Sequence, residues 1–162
     1  MFNVGDVLSI QYTGFKHYGI YVGNDVVIHN SKKFGLVQEI SLRDFAGNRD
    51  ISLSSIKPDN PMLAVQRAKK YLNLPYNLFS ENCEHFVRTV SGLAKESTQI
   101  QKYLITALGT GAFLKADNSV IKAAGGAAAI SAMLTPSEKS PVKSAAVAAC
   151  LAAGIAYLAA NG

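Results

Sequence analysis

Cysteine is scarce in this sequence of 162 residues, which contains only Cys83 and Cys150. The two lie in very different surroundings and offer no disulfide framework, so a reducing compartment such as the cytoplasm is expected. The first residues lack a basic segment followed by a long apolar run, and a signal peptide is therefore not expected. No basic cluster is interleaved with aromatic residues, which argues against nucleic-acid binding.

Positive charge is unevenly distributed along the chain. Residues 1–85 contain nine Lys or Arg against eight Asp or Glu, whereas residues 86–162 contain seven against three. The basic excess therefore lies in the half that is also rich in apolar residues. This combination favours a membrane surface with anionic headgroups as a partner.

The composition changes near residue 100, which divides the chain into a domain at 1–100 and an appendage at 101–162. The appendage is rich in Ala and Gly and contains three apolar stretches, at 103–114, 120–134 and 145–160. The last has 16 residues, or roughly 24 Å of helix, which is short for a bilayer core of about 30 Å. We expect helices that either pack through small residues or associate with a membrane together.

The first hundred residues predict an α+β fold, a small antiparallel sheet packed on helices. A cap followed by proline, Asn60-Pro61, predicts the start of one helix. Strand patterns of β-branched and aromatic residues, bounded by turn residues, occur at 6–12, 17–22, 26–29 and 36–42, with a short edge strand expected within 46–59.

Two histidines flank the predicted hairpin turn Gly23-Asn24-Asp25. His17 and His29 are equally distant from Gly23 along the chain. A loop with an odd number of residues would place both on one face of the sheet. A two-residue Gly23-Asn24 turn would send His29 to the other face. A site that uses both histidines is therefore expected to need an odd loop.

The stretch SENCEHFV, residues 80–87, places a cysteine where a helix is predicted to begin. Pro75 disfavours helix before it, and Asn82 is a good capping residue. Cys83 would then lie in the first turn, where free N–H groups lower the pKa of a thiol. Taken alone, such a cysteine is more often a small buried hydrophobic residue.

SENCEHFV, together with KHYGIYVG at 16–23 and VVIH at 26–29, resembles the NC and H-box motifs of the lecithin retinol acyltransferase-like family. This family includes the phospholipase A/acyltransferases and is described as a permuted, papain-like relative of the NlpC/P60 thiol peptidases. The resemblance covers roughly residues 5–99. Tyr18 stands where many relatives have tryptophan, and the segment at 30–60 is shorter, so the choice of substrate stays open.

The resemblance implies that Cys83 is the nucleophile, His17 the general base and His29 the third member that orients His17. Glu84 is interpreted as a favourable charge in the first helical turn and His85 as structural. Neither a cofactor nor a metal is expected.

We therefore expect a cysteine-dependent lipid acyltransferase or phospholipase A that takes a phospholipid or other acyl donor. It would be cytoplasmic, with membrane association through the tail left open. Two alternatives remain: a thiol peptidase or amidase of the NlpC/P60 type, and a non-enzymatic membrane-interacting module. The basic, apolar tail favours lipid proximity but does not separate the enzyme from the non-enzymatic module.

Overall fold

The computed structural model describes residues 1–77, 82–94, 97–136 and 139–161. The chain forms two compact units, Met1–Ser97 and Thr98–Gly162. A sheet with helices makes up the first unit, and helices make up the second. The boundary between them lies at the start of a long helix.

A five-stranded antiparallel sheet forms the centre of the first unit. Its spatial order is β4-β3-β2-β1-β5, so the last strand pairs with β1 at one edge. This confirms the α+β fold and its small antiparallel sheet. The strands are β1 Val7–Tyr12, β2 Phe15–Gly23, β3 Val26–Ser31, β4 Leu36–Ser41 and β5 Ile51–Leu53.

Three helices of this unit begin at well-formed caps. They are α1 Leu42–Ala46, α2 Pro61–Lys70 and α3 Cys83–Val90. The Asn60 side chain accepts a hydrogen bond from an N–H in the first turn of α2, and proline follows it as predicted. The local sequence therefore determines where α2 begins.

The sheet buries apolar side chains on both faces. On one face, Tyr18 and Ile28 pack in a cluster with residues of α2 and α3. On the other face, Val27 packs with Phe45 of α1. Since successive side chains of a strand point to opposite faces, Tyr18 and its neighbour His17 leave β2 in opposite directions.

The hairpin between β2 and β3 has a turn with an even number of residues and a β-bulge next to it. The turn has two residues, Asn24 and Asp25, with φ of 50° and 55°, as a type I′ turn requires. The register then shifts between Tyr21 and Gly23, so Val22 is an extra residue in β2. The expectation of an odd loop is therefore wrong, because the bulge supplies the odd residue and keeps both histidines on one face.

The second unit consists of α4 Thr98–Lys115, α5 Ser119–Leu134 and α6 Pro141–Asn161, with α5 packed against both others. Small residues allow α4 and α5 to approach closely. A Cβ added at Gly109 would lie 2.6 Å from the carbonyl oxygen of Gly125. Packing through small residues, one of the two expectations for the tail, is thus present within this unit.

Helix α6 is longer than the apolar stretch it contains. It begins at Pro141, a residue that suits the first helical position, and its 21 residues span roughly 31 Å. Within the described part of the chain, it is the one helix long and apolar enough to cross a membrane by length and composition. The length predicted from the sequence was too short because polar residues of the first turn also belong to the helix.

Candidate active site

His17 and His29 form a hydrogen-bonded pair on the sheet face that α1 covers. Nε2 of His17 lies 2.7 Å from Nδ1 of His29, and the ring planes are inclined at 76°. Phe45 packs against both imidazoles, with ring centroids 5.6 Å and 5.8 Å away. The structure therefore brings together the two histidines that the sequence selected.

A glycine makes room for this arrangement. Gly19 lies two residues after His17 on the same face of β2. A Cβ added at Gly19 would lie 3.0 Å from Cε2 of Phe45 and closer still to Val27. A larger residue there would displace the ring that covers the histidine pair.

His29 has a second partner, Gln38 of β4. The two residues lie directly opposite each other in the β3–β4 ladder, and Nε2 of Gln38 is 3.2 Å from Nε2 of His29. Polar side chains of three neighbouring strands are thus linked in a row. Sequence reasoning missed Gln38, although the β3–β4 register would have placed it beside His29.

Both imidazoles are neutral near pH 7. Burial, with a smaller contribution from repulsion by His29, lowers the pKa of His17 from 6.5 to about 3. Burial also lowers the pKa of His29 from 6.5 to about 4. The contact between the rings is therefore a hydrogen bond between two neutral groups, and one nitrogen of each ring is an acceptor.

Cys83 is the first residue of α3, as predicted. The side-chain oxygen of Asn82 accepts hydrogen bonds from the N–H groups of Glu84 and His85, at 3.0 Å each. The cap therefore satisfies two of the free donors at this helix end. Ser80 and Glu81, which belong to the same sequence motif, lie outside the described residues.

The thiol is buried, and its acidity differs from expectation. Cys83 is 8% exposed. Burial raises the pKa of its thiol to about 12; the backbone N–H of Tyr18 opposes this rise, and the charge of Glu84 adds to it. The prediction of a lowered pKa was wrong because the cost of desolvating a thiolate exceeds the stabilisation by nearby N–H groups.

The sulfur lies against the backbone of β2. Sγ of Cys83 is 3.9 Å from the carbonyl oxygen of Lys16, and the N–H of Tyr18 points to it. Residues 16–18 of β2 pair with β1 on one side. On the other side, the backbone pairing of β2 with β3 ends at Ile20↔Ile28. The thiol therefore lies beside the part of β2 that is outside its backbone pairing with β3.

The structure does not join Cys83, the predicted nucleophile, to His17, the predicted base. Among the described residues, the Cys83 thiol and the His17 imidazole make no hydrogen bond. Cys83 belongs to the cluster that contains Tyr18, whereas His17 packs against Phe45. Both nevertheless adjoin the same three residues of β2 backbone, 16–18.

Tyr76 is a further residue near the thiol that sequence reasoning missed. Burial raises the pKa of Tyr76 to about 12, and the charge of a Cys83 thiolate raises it as well. Its backbone N–H donates to the carbonyl of Gly35 at 2.8 Å. The segment before α3 is thus attached to the turn between β3 and β4.

The residues after the cysteine anchor α3. Glu84 is fully buried and accepts hydrogen bonds from Nε of Arg88 at 3.4 Å and Oγ of Ser97 at 2.8 Å. His85 is also buried. In the part of the chain that the structure describes, no group of three His, Cys, Asp or Glu side chains is placed to hold a metal ion.

A groove of about 920 Å³ opens beside the histidine pair. Four Phe or Tyr side chains line it, and its charged groups come from the β3–β4 turn, β4 and α1. The lining includes Tyr12, Phe15, Phe34, Phe45, Lys32, Lys33, Glu39 and Asp44.

A hydrogen-bonded histidine pair, with a cysteine at a helix N-terminus beside the same strand, defines a candidate cysteine-enzyme site. Residues 1–94 match the family model described as lecithin retinol acyltransferase. The chain belongs to this family.

Three relatives illustrate the match. Human phospholipase A and acyltransferase 2 is 28% identical over 142 residues, covering 73% of this chain and 87% of that protein. Phospholipase A and acyltransferase 3 of Pongo abelii is 29% identical over 136 residues, covering 69% and 84%. Mouse lecithin retinol acyltransferase is 30% identical over 137 residues, covering 63% of this chain but only 59% of its own length. These names confirm, at the level of the family, the acyltransferase or phospholipase class of enzyme that the sequence predicted.

Proposed function

We propose that the protein is a cysteine-dependent lipid acyltransferase or phospholipase A. Cys83 would take the acyl group of a phospholipid or another lipid ester as a thioester and pass it to water, an amine or an alcohol. The family and its named relatives support the class of reaction. The observation that carries the proposal is the position of Cys83, at the start of α3 and beside the strand that holds His17.

In this mechanism His17 accepts the thiol proton while the sulfur attacks the ester carbonyl carbon. The S–H bond breaks, a bond to the imidazole nitrogen forms, and the carbonyl oxygen becomes an oxyanion. Collapse of the tetrahedral intermediate breaks the C–O bond, and the imidazolium returns its proton to the leaving alkoxide. The N–H of Cys83 would stabilise the oxyanion, since the next two N–H groups of α3 already donate to the Asn82 side chain.

The pKa values predict that proton transfer accompanies attack. The pKa of Cys83 is raised to about 12 and that of His17 is lowered to about 3, so both groups are neutral before substrate binds. His17 and Cys83 would have to come within hydrogen-bonding distance when the ester enters, since catalytic contacts are often formed only in the substrate complex.

The groove beside the histidines would hold the lipid. Its aromatic walls suit an acyl chain, and Lys32 and Lys33 at the turn suit a phosphate. Helix α6 would supply membrane association, because its Val, Leu and Ile side chains are exposed within the second unit. A membrane surface is thus the partner that this proposal requires.

Trapping the acyl-enzyme tests the proposal. The full chain is incubated with phosphatidylcholine vesicles, quenched in acid and analysed by intact-mass spectrometry. We expect an added acyl mass that hydroxylamine removes at neutral pH, and that is missing in Cys83→Ala. Cys150→Ala is the matched control and should retain the adduct, whereas an adduct that persists in Cys83→Ala would refute the proposal.

A non-enzymatic membrane-interacting module is the second candidate. The observation that favours it is the buried thiol with its raised pKa, without a hydrogen bond to His17 in the described residues. This candidate predicts vesicle binding that does not change in Cys83→Ala, with no acyl adduct on any variant. The same trapping experiment therefore distinguishes the two.

A further inference from the structure

We propose that Gln38 is a positioning residue that determines which nitrogen of His17 carries the hydrogen, and thereby whether His17 can accept a proton. The consequence for catalysis rests on the proposed function, whereas the placement of the hydrogen does not. Gln38, His29 and His17 lie in a row, joined by contacts of 3.2 Å and 2.7 Å.

The direction of one hydrogen bond in this row determines the direction of the other. A neutral imidazole has one N–H donor and one acceptor nitrogen. If the amide nitrogen of Gln38 donates to Nε2 of His29, then Nδ1 of His29 carries a hydrogen and donates to Nε2 of His17. The hydrogen of His17 is then on Nδ1.

The opposite direction follows when the amide oxygen of Gln38 faces His29. Nε2 of His29 then donates to that oxygen, and Nδ1 of His29 accepts from Nε2–H of His17. Nδ1 of His17 is left without a hydrogen. The two amide orientations occupy the same space, because the oxygen and nitrogen exchange places when the amide turns by half a rotation.

Only the second direction makes His17 a base. Its Nε2 is engaged with His29, so Nδ1 is the nitrogen that can take the proton of Cys83. When it does, the resulting imidazolium still donates through Nε2 to His29, and His29 still donates to the oxygen of Gln38. Every hydrogen in the row then has an acceptor, which stabilises the charged state.

Gln38 is well placed for this task. It lies directly opposite His29 across the β3–β4 ladder, and His29 is buried. The charged groups nearby are Lys32, Lys33, Glu39 and Asp44 of the groove, but in the described ranges neither imidazole hydrogen-bonds to a charged side chain. The hydrogen-bonded row that begins at His17 therefore ends at the neutral side-chain amide of Gln38.

The test places the hydrogens directly by NMR. The full chain is labelled with ¹⁵N-histidine, and long-range ¹H–¹⁵N correlation spectra near neutral pH distinguish Nδ1–H from Nε2–H rings. Three variants are compared with the parent: Gln38→Glu, whose carboxylate only accepts, Gln38→Met, which has similar length and no hydrogen bond, and Gln66→Met on the exposed side of α2 as the matched control. Thioester formation on vesicles is measured in parallel.

We expect His17 to be mainly Nε2–H in the parent, in Gln38→Glu and in Gln66→Met. In Gln38→Met we expect a shift toward Nδ1–H and a fall in the thioester rate of roughly tenfold or more, the size found for residues that orient metal-bound histidines. An unchanged His17 tautomer in Gln38→Met would overturn the inference. If the tautomer shifts as expected but no variant forms a thioester, the role of Gln38 in setting the tautomer stands and the proposed function fails.

Discussion

Nε2 of His17 lies 2.7 Å from Nδ1 of His29 across a hairpin whose turn has an even number of residues. Uninterrupted pairing from that turn would send the two side chains to opposite faces of the sheet. The bulge at Val22 compensates by one residue. The histidine pair therefore depends on a backbone irregularity several residues away from either ring.

The first prediction tests this dependence through Gly23, which has φ of 93° beside the bulge. Gly23→Ala strains the backbone, and we expect the free energy of unfolding to fall by about 1 kcal/mol or more. The imidazole NMR signals of both histidines should shift, because the register that brings them together is loosened. Urea unfolding and ¹⁵N-histidine spectra measure the two effects.

Gly35→Ala is the matched control, since Gly35 also has positive φ, 76°, and a Cβ there would meet no atom within 4 Å. It should lower stability by a similar amount and leave the imidazole signals unchanged. If Gly23→Ala also leaves them unchanged, the bulge does not determine the geometry of the pair.

Much of this site could be predicted from the sequence because its signals are local. The capping residue Asn82 and the residues around it determine where α3 begins, and so the position of Cys83. The bulge at Val22 could not be predicted, because it results from how two strands pair. The burial of Cys83 is likewise a tertiary effect, since an N-terminal helix position alone predicts a more acidic thiol.

The second prediction orders the two histidines by their effect on catalysis. His17→Ala should reduce thioester formation almost as much as Cys83→Ala, because it removes the proposed base. His29→Ala should reduce it less, since an orienting group usually contributes less than the base. Single-turnover acylation rates measure both. Equal activity in His17→Ala and the parent would remove His17 from the mechanism.

The third prediction concerns stability in acid. Folding lowers the pKa of His17 to about 3 and that of His29 to about 4, from 6.5. Between these pH values and pH 6.5, the unfolded chain therefore binds more protons than the folded protein. The free energy of unfolding is highest above pH 6.5 and decreases as the pH falls toward 4 and then 3. Each histidine contributes at most about 1.4 kcal/mol per pH unit.

Urea unfolding at several pH values within this range measures the slope of stability against pH. His17→Leu should show a shallower slope than the parent. Identical slopes would mean that His17 is already accessible to protons in the folded protein, contrary to its burial.

The fourth prediction concerns the close approach of α4 and α5. A Cβ at Gly109 would lie 2.6 Å from the oxygen of Gly125, whereas at Gly111, in the same helix, it would meet nothing within 4 Å. Gly109→Ala should lower the midpoint temperature at which the helices unfold, as measured by circular dichroism. Gly111→Ala should raise it, because alanine favours helix over glycine by up to about 1 kcal/mol. A rise in both variants would show that the two helices do not pack as described.

The last prediction concerns the apolar surface of α6 and its role at membranes. Leu151, Ile155 and Leu158 are 64%, 69% and 71% exposed. Changing all three to glutamine removes apolar surface while leaving residues that favour helix. We expect flotation with anionic vesicles, and turnover on vesicle lipid, to fall sharply because membrane affinity scales with buried apolar area. Acylation of Cys83 by a dispersed short-chain ester should persist, since the first unit, Met1–Ser97, contains Cys83, His17 and His29. If the unaltered chain fails to float at low salt, and a chain ending at residue 97 is unfolded, the second unit is structural and the membrane assignment is wrong.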